Sequence, residues 1–160
     1  MRDPLVRDLL CRVENPMPET RPTLKDFACF AVHSAGHALS RAYKPLLEPL
    51  GLTYPQYLVM VALWEEDGVT LGALGERLFL DSSTLTPLLK RLEAQGLLHR
   101  QRDPANERQL RITLTGQGRA LRERAADVPA CMQAATGMTE AELGRLRDEV
   151  SRLRNALLRG

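Results

Sequence analysis

The sequence predicts a mainly α protein with one two-stranded β-ribbon, and three stretches carry that prediction. Leu85, Leu88, Leu89 and Leu92 recur at i, i+3, i+4 and i+7, the spacing of one buried helical stripe. Leu110, Ile112 and Leu114 alternate with Arg111 and Thr113, the period of a strand with one buried face. Leu143, Leu146, Val150, Leu153 and Leu157 form a longer seam, the pattern of a helix that packs on another helix.

The elements follow in chain order. Residues 1–22 hold Pro4, Pro16, Pro18 and Pro22 and are expected to form a flexible arm, with one helical turn around Leu5 to Val13. Thr23 is expected to cap a long helix reaching about Leu47, with Asp26 at its third position favouring the helix dipole. Thr53 and Gln56 make a capping box for the next helix, and Gly68 closes it. Thr70 can cap a short helix with Leu71, Leu74 and Leu78 on one face, after which Phe79, Leu80 and Asp81 turn the chain into the leucine-striped helix. Asp81 or Ser82 caps that helix and Gly96 ends it. Pro87 lies inside it, where a missing N–H costs roughly 3 kcal/mol, so the helix either kinks there or starts later with Thr86 as cap.

Leu97 to Arg102 is the natural antiparallel partner of the alternating strand, with Asp103 to Glu107 as the turn. Thr115 leads into a helix that Pro129 is expected to end, and Thr139 with Glu142 forms a capping box before the last helix. Two helices joined by so short a turn make a helix-turn-helix, and the ribbon behind them makes a wing. The expected organisation is a single domain over residues 23–160. Within it, 53–115 form the reading part, and 23–50 and 116–160 supply helices that join two copies.

This layout points to DNA. At about 100° per residue, Ser83, Thr86, Pro87 and Lys90 cluster opposite the leucine stripe, with no carboxylate among them, and such a face can enter a major groove without repelling phosphates. The candidate contacts are Ser82, Ser83, Thr84, Thr86, Pro87, Lys90 and Arg91 on the helix, with Arg102 and Arg108 on the wing. His99, Arg100 and Arg111 add further positive charge to the ribbon, suited to phosphate or to a narrow minor groove. A solvated helix and hairpin that bind no nucleic acid would be the bland alternative, and it leaves the agreement of these features unexplained. One reading head covers a short half-site, so a homodimer placing two heads about 34–36 Å apart on a pseudo-palindromic operator is expected.

Global composition fits this reading without deciding it. The chain has 160 residues, 44% of them hydrophobic, and a net charge of only +2, so binding would rest on a local basic patch. No apolar run is long enough to span a bilayer, and a soluble, cytoplasmic protein with no membrane partner is expected. Cys11, Cys29 and Cys131 are too few and too scattered for a zinc site or a disulfide-stapled fold, so neither metal nor other cofactor is expected.

Longer strings carry a resemblance. They are Cys29-Phe30, YKPLLEPLGLTYPQYLVMVALWE from Tyr43 to Glu65, LGERLFLDSSTLTPLLKRLEAQGLL from Leu74 to Leu98, and Glu107-Arg108. In these the chain resembles the MarR-type winged-helix regulators, and among them the organic-hydroperoxide sensors known as OhrR. The resemblance implies a repressor whose Cys29 thiolate is oxidised by an organic hydroperoxide, after which the protein leaves its operator.

The residues themselves bear on that chemistry. Cys29, His33, Gly36, Ser40 and Tyr43 fall at i, i+4, i+7, i+11 and i+14, one face of the first helix, and about 21 Å of helix rise separates Cys29 from Tyr43. Gly36 lies midway, where two helices can approach closely. If two copies cross antiparallel there, Cys29 of one meets Tyr43 of the other. A phenol donating to sulfur favours the reactive thiolate. The resemblance gives Tyr43 this role and places Tyr54 at the same site. His33 stands where many relatives carry a tyrosine; a neutral imidazole could donate the same hydrogen bond, and a protonated one would make activation pH-dependent.

Without the resemblance, Cys29 reads more readily as a small buried hydrophobe. Cys131 is the resolving thiol that the resemblance suggests, a low-molecular-weight thiol being the alternative, and Cys11 is incidental. Relatives usually show Asp-x-Arg on the wing, where this chain has Asn106-Glu107-Arg108; the arginine is kept and a steadying carboxylate is lost. Two rival readings stay open: a MarR-type regulator released by a small aromatic or anionic ligand, with Cys29 inert, and a thiol peroxidase. The second lacks any thioredoxin-like βαβ pattern, so an enzyme is not expected.

Overall fold

The computed structural model describes residues 21–103 and 106–159, without the side chains of Asp103, Glu107 and Arg108. Its elements are α1 (Ala28–Leu47), α2 (Tyr54–Glu65), β1 (Val69–Thr70), α3 (Leu71–Leu78), α4 (Ser82–Ala94), β2 (Leu98–Asp103), β3 (Asn106–Leu114), α5 (Gly116–Arg124), α6 (Val128–Thr136) and α7 (Glu140–Leu157). The expected helical turn around Leu5 to Val13, with Cys11, lies outside the described residues.

Capping chemistry sets most helix starts. The Thr53 backbone N–H donates to Gln56 Oε1 at 2.8 Å before α2, and the Thr139 N–H donates to Glu142 Oε2 at 2.8 Å before α7. Thr70 Oγ1 accepts from Ala73 N at 3.2 Å ahead of α3. Thr23 behaves differently from expectation. Its box with Asp26, closed by a 2.7 Å bond, encloses only a 3-10 turn, Leu24–Asp26; Phe27 is extended, and α1 begins at Ala28.

Two prolines also depart from expectation. Pro129 opens α6 instead of ending the preceding helix, because in the first turn a missing N–H has no intrahelical partner to lose. Pro87 stays inside α4, which is one helix from Ser82, so Thr86 is not its cap. Thr86 Oγ1 donates instead to Ser82 O at 2.6 Å.

The ribbon gains a third strand that the sequence reading did not contain. The sheet order is β1-β3-β2, all antiparallel, with Val69 opposite Ile112 and Leu98 opposite Leu114. Two residues are too few to show a period, and β1 exists because β3 offers it a free edge. Asp67 fastens this edge, its Oδ1 accepting from Leu114 N at 2.8 Å. β3 starts at Asn106, paired with Asp103, so Asp103, Asn106 and Glu107 are strand and not turn as expected, while residues 104–105 lie outside the described residues.

The described residues divide into two units, one ending at Ala35 and the other beginning at Gly36. In the first, every described residue is exposed, Phe27, Phe30 and Val32 included. In the second, Leu63, Leu74, Leu85, Leu89, Leu92, Leu98 and Ile112 meet in one core drawn from α2, α3, α4 and the sheet. No helix among the described residues is long and apolar enough to cross a membrane.

Candidate functional site

The helix-turn-helix is held by a close backbone approach. A Cβ at Gly75 would lie 2.8 Å from Leu80 O, and the Leu80 N–H donates to Gly75 O at 2.9 Å, so the glycine lets the turn fold onto α3. Phe79 takes the left-handed conformation there, φ 55°. The turn delivers α4 with Leu85, Leu89 and Leu92 fully buried. Ser82, Ser83, Thr84, Pro87, Lys90 and Arg91 are exposed on its other sides, and Thr86 is half-buried. Asp81 occupies the N-cap position without a side-chain capping bond.

On the ribbon, His99 and Arg102 are exposed, while the Arg108 side chain lies outside the described residues. Arg100 is otherwise employed than as a surface cation. Its backbone N–H donates to Glu93 Oε1 at 2.9 Å and its Nε to Glu93 Oε2 at 2.8 Å, which ties β2 to α4. The Arg100 guanidinium holds the Glu93 carboxyl below the usual range. Arg111 donates from Nη1 to Gly68 O and so ties β3 to the turn before β1.

The sequence-derived thiol residues fall in three places. Cys29 and His33 are exposed on the opening turns of α1. Cys131 is also exposed, but inside α6, and not between helices as expected. Tyr43 and Tyr54 are half-buried and stacked, ring centroids 4.5 Å apart at 26°. Sequence reasoning missed Tyr57, whose ring lies 5.9 Å from Tyr43 and 6.2 Å, edge-on, from Trp64. The signal was present as Tyr54, Tyr57 and Trp64 at i, i+3 and i+10, one face of α2.

Burial pushes all three phenols above their ordinary range, and the neighbouring Tyr54 adds to this for Tyr43 and Tyr57. They therefore stay protonated near neutral pH and keep an O–H to donate. Among the described residues, no group of three or more His, Cys, Asp or Glu could hold a metal ion.

A short-turned helix pair with an exposed second helix, followed by a basic antiparallel ribbon, defines a winged-helix protein of the transcription-regulator class. Residues 52–110 match the MarR family. The chain belongs to that family, since it is also 40% identical over 134 residues to the organic hydroperoxide resistance transcriptional regulator of Bacillus subtilis, covering 84% of this chain and 91% of that one. It is 51% identical over 129 residues to the transcriptional regulator TtmR of Methylorubrum extorquens, covering 81% of this chain but only 66% of that protein. Among solved structures, reduced AbfR bound to DNA superposes with a TM-score of 0.71 at 34% identity, over 84% of this chain and 93% of that one. The two sequence relatives are transcriptional regulators.

Proposed function

We propose that this MarR-family regulator is a DNA-binding repressor that senses organic hydroperoxides through Cys29 and then releases its operator. The observation that carries the reading is the half-buried Tyr43–Tyr54 stack, two phenols kept protonated and able to donate to a thiolate. The likeness to a Bacillus hydroperoxide-resistance regulator supports it.

In this reading two copies cross at Gly36, where an added Cβ would meet nothing within 4 Å among the described residues, and Cys29 of one copy meets Tyr43 of the other. The Cys29 thiolate attacks the terminal oxygen of the hydroperoxide, an S–O bond forms as the O–O bond breaks, sulfur becomes sulfenic acid, and the departing alkoxide takes a proton from solvent to leave as an alcohol. A thiol then condenses with it, forming a disulfide and releasing water. Cys131, exposed on α6, or a low-molecular-weight thiol supplies that sulfur.

In the reduced homodimer, α4 lies in the major groove with Ser82, Ser83, Thr84, Thr86, Pro87, Lys90 and Arg91 toward the DNA. Arg102 and Arg108 approach it from the wing. Weakening by tenfold to a hundredfold requires only about 1.4–2.8 kcal/mol of coupling.

A gel-shift series tests this, using operator DNA selected with the reduced protein. Wild type is expected to release it on addition of an alkyl hydroperoxide, and Cys29→Ser to hold it. Release of Cys29→Ser on oxidation would overturn the sensor reading and favour a ligand-released regulator. Cys131→Ser separates the two sources of resolving thiol, since loss of a dimer-linking disulfide on a non-reducing gel would assign it to Cys131. Lys90→Ala is expected to weaken binding and to lower the salt slope by about 1.

A further inference from the structure

We infer that Trp64 is a positioning residue that carries the state of the tyrosine cluster to the base of the wing; this rests on the sensor reading above. Tyr57 and Trp64 stand seven residues apart on α2, about 10.5 Å of helix rise, with Tyr57 touching the Tyr43–Tyr54 stack at one end. At the other end the Trp64 indole N–H donates to Gly118 O at 2.8 Å.

Gly118 sits at a joint of backbone atoms. A Cβ there would lie 2.0 Å from Leu97 O, and its N–H donates to Thr115 Oγ1 at 2.9 Å. Leu97 in turn links both sides: its N–H donates to Leu92 O at 3.0 Å at the end of α4, and its carbonyl accepts from Thr115 N at 3.0 Å at the start of α5. Thr115 Oγ1 also donates to Gly96 O at 2.7 Å. The closest contact in this joint is backbone against backbone, and close packing leaves little room to absorb a displacement. A shift of Gly118 therefore moves the end of α4 and the start of β2 together.

The indole is thus the polar handle by which the aromatic cluster holds that joint. When oxidation removes the charged sulfur, Tyr43 loses the acceptor of its O–H. A shift of its ring disturbs the contacts with Tyr54 and Tyr57, and Tyr57 meets Trp64 edge-on. The consequence is a change in the pitch of α4 against the wing.

The chain holds a single tryptophan, so its fluorescence reports this site alone. The experiment compares wild type, Cys29→Ser and Trp64→Phe, each reduced and after an alkyl hydroperoxide, by Trp emission, operator affinity and thermal midpoint. Wild-type emission is expected to change on oxidation and that of Cys29→Ser to stay constant. Trp64→Phe is expected to bind operator within about twofold of wild type when reduced, yet to weaken by less than about threefold on oxidation where wild type weakens tenfold or more. Equal release by Trp64→Phe and wild type overturns the inference alone. So does a loss of reduced affinity and midpoint that leaves the fold-release unchanged, the mark of a merely structural role. If Trp64→Phe fails to fold, the wild-type emission decides: no change on oxidation, with release intact, overturns it. A wild type that holds DNA after oxidation removes the sensor reading itself and this inference with it.

Discussion

The leucines of α4 and those of α7 follow the same helical periodicity and meet opposite fates. Leu85, Leu89 and Leu92 are 0% exposed, whereas Leu146, Val150 and Leu153 are 50%, 39% and 41% exposed. In the reading head the facing surfaces, α2, α3 and the sheet, come from the same chain, so the stripe closes into a core. Among the described residues, nothing covers the α7 seam in this way. Periodicity thus shows that a face is apolar but does not name what it packs on.

The largest effect is expected from breaking the closed side of that contrast. Leu89→Ala should destabilise the fold by about 2–5 kcal/mol, because a fully buried leucine leaves both lost transfer energy and a cavity. Denaturant unfolding checks this, and a loss under about 1 kcal/mol would mean that α4 does not anchor the core. On the open side, Leu153→Asp should change the unfolding of the dissociated protomer by no more than about 0.5 kcal/mol. It should nonetheless split the proposed homodimer in sedimentation; a dimer that survives would place the interface elsewhere.

The smallest effect concerns the tie between head and wing. Arg100 lowers the folded-state value of the Glu93 carboxyl, so the pair contributes stability above the unfolded carboxyl range. That contribution is lost as pH falls through the folded value. Glu93→Gln should remove this part of the acid sensitivity, with a change at neutral pH of under about 1 kcal/mol because the pair is partly solvated. An acid-unfolding curve identical to wild type would show that the pair adds nothing measurable.

Much of the fold was legible in local chemistry. Thr53 with Gln56 and Thr139 with Glu142 cap their helices through residues three apart, and the α4 stripe and β3 alternation are read over a few turns or pairs. The reading head was legible for the same reason. The proposed thiol site rests on matching strings for Cys29, Tyr43 and Tyr54, whereas Tyr57 and Trp64 acquire meaning only once α2 faces Tyr43 and Gly118.

By itself, then, the sequence determined most of the helices and the two ribbon strands, the Thr53, Thr70 and Thr139 caps, and the apolar faces that had to be covered, because these depend on neighbours within a turn or two. Tertiary structure decided what long-range contact alone can decide. It gave β1 its place on the free edge of β3 and withdrew Arg100 from the surface cations to pair with Glu93. It also let Pro129 begin a helix, and it brought the tyrosines and Trp64 into one aromatic line ending at a glycine that no side chain could replace.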